Sequence, residues 1–446
     1  MRRRTLALIA AGAVIAVVLV VGVVTAGAQG PSSLPSITVS QLLQNVATRA
    51  QSTTAVSGDV VWSNDLLGSS SLLSLGGNQT PAGLSSLLTG GSGRVWAQNG
   101  KARLESQGQN GDFVAVANGA TVWTWDSMTN TATRYSSPQS TPSGASGAAA
   151  SPASQPSLDP ATAVAALIQK LAPNATLSVS GQAVVAGRQT YTLTLTPTSP
   201  VTTFGSVRVA IDGRRWVPLQ VQIFAKGDGS AVMSAGFKTV SFSAISNSLF
   251  SFSPPSGATV IHKQLGTAQL GTAQGAPVKG QTDKGGKVGA AQGGAAHHAP
   301  LTLTQAKAQA PFLLTPSSTP AGIAFRGAFV TPTAAKAQAA IGSPTAQQAG
   351  MIAVLGKHPT AALDYGTGFG TVLVVESKTT AGQDAQVQQQ LGQLSTIGKT
   401  TVNGMPATKL QTSLGSAVTF RQGDVRVIVV GFVPWSDLTQ IAGSLQ

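Results

Sequence analysis

The chain has 446 residues, of which 42% are hydrophobic and only 9% are charged, and it contains no cysteine. Zero Cys excludes a disulfide framework, a thiolate metal site, a cysteine nucleophile and a lipid-modified N-terminal cysteine. Two glutamates, Glu105 and Glu376, and four histidines leave little material for acid–base or metal chemistry, and no cofactor site is expected. The formal net charge of +14 is spread along the chain rather than gathered in a basic stripe. That argues against nucleic acid as a partner and for weak attraction to an anionic membrane surface.

Arg2, Arg3 and Arg4 precede an uncharged stretch from Leu6 to Ala28, long enough as a helix to cross a hydrocarbon core. The arginines hold the N-terminus inside and send the rest out. Ala26-Gly27-Ala28 also has the form of a cleavage site. Residues 1–30 are therefore a transmembrane anchor or a signal peptide. Either one places the bulk at the extracytoplasmic face of the cytoplasmic membrane or in the cell envelope.

Two low-complexity stretches divide the rest of the chain. Residues 137–157 are rich in Ser, Pro, Gly and Ala and read as a mobile loop. Residues 263–299 carry an LGTAQ repeat and read as a flexible linker. The folded blocks are then 35–262 and 300–446.

A helix capped by Ser40 opens the first block, with Leu42, Leu43, Val46, Ala47 and Ala50 on one face. Strands are expected over 56–62, 93–97, 101–105, 112–117, 121–126 and 131–135, with turns at Asn99-Gly100 and Asn118-Gly119. Residues 66–90 are apolar but broken by Gly and Ser, and read as a mobile flap beside the sheet. A second helix starts at Asp159-Pro160. Further strands are expected over 177–179, 183–185, 191–196, 207–212, 218–224 and 233–237. The fold class is α+β, mainly β: a large curved antiparallel sheet or unclosed barrel with a helical lid, then a smaller α+β domain. The second block shows a hairpin-like run at 402–408, a strand over 425–431 and a last helix over 437–445.

Several stretches carry a resemblance. They are Gly93-Arg94-Val95-Trp96, Asn118-Gly119-Ala120-Thr121-Val122-Trp123-Thr124-Trp125-Asp126, the pair Thr133 and Tyr135, Leu158-Asp159-Pro160, Val185 to Tyr191, Val207 to Asp212, Trp216 to Val221 and Phe252 to Ala258. In this order and spacing the first block resembles the bacterial lipoprotein-carrier fold of LolA, LolB and the MucB/RseB N-terminal domain, in its exported actinobacterial version. The resemblance implies an open barrel around an apolar cavity that holds acyl chains or a lipidated protein, with no catalysis. Two alternatives stand beside it: a signalling protein of the RseB type that contacts a membrane partner, and a structural envelope domain with a filled core.

Candidate cavity residues are Trp62, Leu72, Leu73, Leu84, Leu87, Val95, Trp96, Val114, Val116, Trp123 and Trp125. A cavity wall and a filled core use the same residue types, so both readings stand. Alternation places Trp123 and Trp125 on one side of their strand.

The remaining motifs dissolve. Gly392 to Thr400 has one residue too many for a phosphate loop and reads as a helix C-cap turn before a strand. Gly366 to Gly370 precedes a strand, where a dinucleotide fingerprint must come after one. His262, His297, His298 and His358 fall in linker or loop, so no metal site is expected.

Overall fold

A computed structural model describes residues 34–49, 55–66, 90–108, 111–136, 172–264, 300–333, 335, 358–382, 385 and 397–446. The 6–28 stretch, the 66–90 flap beyond Leu66, the 137–157 loop, the helix at Asp159 and the 263–299 linker beyond Gln264 lie outside them. No helix among the described residues is long and apolar enough to cross a membrane.

Helix α1, Val39–Arg49, opens the first block. Its cap is Thr38 rather than Ser40. The Thr38 hydroxyl accepts from Gln41 N–H at 3.2 Å, and the Gln41 side chain accepts from Thr38 N–H at 2.8 Å. This reciprocal pair is a capping box.

Among the described residues, twelve strands then form one curved sheet. They are β1 Ala55–Asn64, β2 Gly90–Gln98, β3 Lys101–Gly108, β4 Gly111–Asn118, β5 Thr121–Asp126, β6 Thr131–Ser136, β7 Ala175–Val185, β8 Arg188–Pro197, β9 Phe204–Asp212, β10 Pro218–Ala225, β11 Ala231–Phe237 and β12 Thr259–Gln264. The spatial order is β12-β6-β5-β4-β3-β2-β1-β11-β10-β9-β8-β7, so the sheet stays unclosed. Neighbours are antiparallel except β12, which runs parallel to β6.

Several boundaries differ from expectation. The strands expected at 177–179 and 183–185 are one strand, β7, carried past a bulge between Ser180 and Ala183. Gln98 pairs with Lys101 around Asn99 and Gly100, both with positive φ, the geometry their sequence favours. The next hairpin turns on Gly119-Ala120, one residue later than expected, because Asn118 pairs with Thr121. His262 sits in β12 and not in a linker, so the first block runs to Gln264.

Helix α1 packs Leu42 and Val46 against Leu193 and Leu195 of β8, Val207, Val209 and Ile211 of β9, and Val221 of β10. The Tyr191 hydroxyl donates to the Pro35 carbonyl at 2.9 Å, and its ring stacks on Trp216 at 5.6 Å. Trp216 itself adopts a left-handed conformation, φ +62, that a bulky residue rarely adopts.

The second block holds helices α2, Leu303–Gln309, and α3, Trp435–Gly443. Its seven strands are β13 Phe325–Val330, β14 Thr360–Tyr365, β15 Val372–Lys378, β16 Ile397–Val402, β17 Met405–Gln411, β18 Ser416–Gln422 and β19 Val425–Gly431. Their order is β13-β14-β15-β19-β18-β17-β16. Ala306 of α2 and Leu438, Ile441 and Ala442 of α3 join the core under one face. Gly398-Lys399-Thr400, expected at a helix end, lies within β16. Gly368–Gly370 forms a short helical turn just before β15, as its place ahead of a strand requires.

The two sheets meet at Thr202, Thr203 and Phe204. The Thr202 hydroxyl donates to the Phe369 carbonyl at 2.6 Å, and that of Thr203 donates to the Leu414 carbonyl at 2.6 Å. Phe204 packs its ring on Phe369 and Phe432 at 5.2 and 5.1 Å.

Candidate functional site

Strand register sorts the candidate residues by face. Trp62 lies opposite Gly91 and Ala235, Val60 opposite Gly93, and Val95 opposite Leu104. Leu104 lies opposite Ala115, and Ser106 opposite Phe113. These side chains share one face, called here the first face, and they form a buried cluster with Val56, Ala97 and Phe237. No charged side chain interrupts this wall across β1–β4. The glycines of β2 make room for its largest member. A Cβ on Gly91 would meet the Trp62 ring at 2.9 Å, so the indole lies flat over that strand. Trp62 is 8% exposed.

Trp96, Val114, Val116, Trp123 and Trp125 stand on the opposite face. Trp96 lies opposite Ser57 and Arg103, Val116 opposite Trp123, and Val114 opposite Trp125. Trp123 and Trp125 do share a face, as alternation requires. The candidate residues therefore do not line one cavity: Trp62 and Val95 belong to one wall and the other five to its back. Leu72, Leu73, Leu84 and Leu87 lie outside the described residues.

The second face is crossed by a strap between β11 and β12 that sequence reasoning missed. Ile245 exchanges two hydrogen bonds with the Gln98 side chain, at 3.0 and 2.8 Å. Arg103 donates to the Leu249 carbonyl at 3.0 Å, and Asn118 to the Phe250 carbonyl at 3.3 Å. Phe250 is buried, and Phe252 packs on Trp123 at 5.5 Å. The signal lies in the apolar residues Ile245, Leu249, Phe250 and Phe252, which have no strand-like alternation.

The strap starts at a charged lock. Arg188 grips Asp212 with two hydrogen bonds, at 2.5 and 3.1 Å. The backbone N–H groups of Arg214 and Arg215 donate to the same carboxylate at 2.8 and 2.6 Å. Burial works to raise the Asp212 pKa, but these donors prevail and hold it below the usual carboxylate range. The Arg188 and Arg215 guanidinium groups both stand over the Phe242 ring, at 5.3 and 5.5 Å. Phe242 packs with the first-face cluster.

An open cleft of about 270 Å³ lies between β1, β2 and the start of the strap, lined by Asp59, Arg94, Trp96, Thr239 and Ser241 among others. Hydrogen bonds from Arg94 and Thr239 hold the Asp59 carboxyl below its ordinary pKa. Arg94 also stands over the Trp96 ring at 5.9 Å, so that ring face is occupied. Among the described residues, no group of three His, Asp or Glu can hold a metal ion. His262 lies in β12 of the large sheet and His358 just before β14 of the small one, and His297 and His298 lie outside the described residues.

No family model matches the chain, and no curated protein matches it. Among solved structures, the chain is similar to MucB in complex with MucA(peri), at 14% identity over 91% of this chain and 98% of that one, with a TM-score of 0.40. It is similar to the Pseudomonas aeruginosa MucA/MucB complex at 13% identity over 91% and 98%, with a TM-score of 0.38. Over 47% of its length it is similar to a putative outer membrane lipoprotein-sorting protein domain from Vibrio parahaemolyticus, covering 94% of that chain at 12% identity with a TM-score of 0.21.

Proposed function

We propose that the chain is an extracytoplasmic binding protein. It holds the acyl chains of a lipid or lipidated protein against the first face of its large sheet, near Trp62 and Val95, and does no catalysis. The observation that carries this reading is the uncharged wall of Val56, Val60, Trp62, Val95, Leu104 and Phe113 spanning four strands. Each methylene such a wall takes from water contributes about 0.8 kcal/mol, so a long chain needs no charged partner. The apolar 6–28 stretch and the positive charge support action at a membrane surface.

A second reading, an envelope signalling protein of the RseB kind with a membrane-protein partner, is favoured by the junction at Thr202 to Phe204. There the second sheet is fixed to the first and could report on its occupancy.

Changing Leu72, Leu73, Leu84 and Leu87 together to serine tests the acyl-chain reading. Titration with a fluorescent fatty-acid analogue should show at least a roughly tenfold loss of affinity, with the melting temperature unchanged. Retained binding would remove these four leucines from the proposed site. A melting temperature that collapses would mean that these leucines fill a structural core instead.

A further inference from the structure

Among the described residues the two sheets end in four strands: β7 and β12 on the large sheet, β13 and β16 on the small one. An open edge templates pairing with another chain, and proteins normally blunt it. Three of these edges are blunted. β7 breaks at its bulge between Ser180 and Ala183. β13 is capped by Leu301, which exchanges two backbone hydrogen bonds with Ala328 at 2.8 and 2.9 Å. β16 carries the exposed Lys399 at its centre.

β12 has none of these devices. It pairs with β6 over six residues without a register shift and contains no proline, glycine or bulge. Thr259 N–H donates to the Asn130 carbonyl at 2.9 Å. Alternate residues therefore turn their backbone toward β6, while Val260 and His262 turn theirs outward, where no described group meets them. Val260 and Ile261, on opposite faces of the strand, are 42% and 39% exposed. The one lysine that could guard the edge, Lys263, is drawn in over the Tyr135 ring at 5.6 Å.

The surroundings are cationic. His262 stands beside Arg134 in register, and both are exposed. The nearest carboxylate on the neighbouring strands, Asp126, is buried and accepts hydrogen bonds from Thr129 within its own turn.

We propose that β12 is a docking edge for an extended acidic segment of a partner protein, which adds to the sheet as a further strand. Backbone hydrogen bonds to Val260 and His262 supply the pairing, Val260 and Ile261 supply apolar contact on the two faces, and the positive charges of Arg134 and Lys263 select an acidic partner. A second copy of this chain fits poorly. Pairing two such edges about a two-fold axis brings the same cations together. The proposal is independent of what the first face of the sheet binds.

The test uses the full exported chain and a short labelled peptide of alternating valine and glutamate. Its control has the same charge but proline in place of valine. Anisotropy should show saturable binding of the first peptide and at least a roughly tenfold weaker response to the second. Hydrogen exchange should slow at the Val260 and His262 amides. H262P removes an outward donor that β6 does not use, so the sheet should survive while binding drops about tenfold or more. The paired change of Arg134→Glu and Lys263→Glu should weaken binding as much without touching the backbone, and it decides the matter should H262P fail to fold. Equal binding of the proline peptide, binding unchanged in both variants, protection appearing at another strand, or no binding would overturn the proposal.

Discussion

Replacing Asp212 with alanine should lower the unfolding free energy by about 2–4 kcal/mol, because it leaves a half-buried guanidinium without its partner and two backbone donors unsatisfied. The Asp212 side chain is 1% exposed and takes both arms of Arg188. It also satisfies the backbone donors of Arg214 and Arg215. Without it, Arg188 remains over Phe242 with no counter-ion, and the turn between β9 and β10 loses two hydrogen bonds. R188K should cost less, because a lysine keeps the charge but loses the two-pronged fit. Urea melts of the variants measure both. A loss below about 1 kcal/mol for D212A would show that the lock does not hold the strap.

The second large effect is a pH dependence set by Glu376. This residue of β15 is 0% exposed in the core of the small sheet. One carboxyl oxygen accepts from Leu314 N–H at 2.8 Å, and the other has no partner. Burial outweighs that hydrogen bond and the attraction of Lys307, and raises the pKa from 4.5 to about 7. The same site pushes the Tyr365 hydroxyl up to about 12, through burial and the nearby Glu376 charge. The folded state thus keeps a proton that the unfolded chain releases. Its contribution is fully present below about pH 4.5 and is lost as pH rises through about 7, a swing of roughly 3 kcal/mol. Asp364, raised by burial, acts in the same direction, whereas Asp59 and Asp212 are lowered and act only at more acid pH. Chemical denaturation between pH 5 and 8 should therefore show falling stability, and E376Q should flatten most of the slope. An unchanged slope in E376Q would contradict this assignment.

Much of the large sheet is legible in its alternation. Val95, Leu104 and Phe113 stand at positions that any period-two reading assigns to one side of a strand. Asn99-Gly100 marks its turn because both residues tolerate positive φ. The Thr38 cap is also present in the sequence, as a threonine with Gln41 three residues later. Ser40 is simply the nearer polar residue.

Other features depend on partners distant in sequence. Whether Trp62 and Trp96 share a wall is fixed by the pairing of Trp62 with Gly91, and neither strand alone contains that register. β12 pairs in parallel after the long strap, and Thr259 to Gln264 lacks the alternation of a half-buried strand. The β7 bulge falls in Ser180-Gly181-Gln182, which reads locally as a turn between two strands. Glu376 sits among Val374, Val375 and Ser377 with nothing local to mark it as the core's buried acid.

The proposed acyl-chain site is the first face of the large sheet. Native mass spectrometry of residues 31–446 from an exporting bacterial host, before and after organic extraction, tests it most directly. A co-purified lipid mass is expected, one that disappears on extraction and returns with phospholipid or a triacylated peptide. A clean apo mass that neither ligand changes would contradict it and leave the wall of Trp62, Val95 and Leu104 as packing alone.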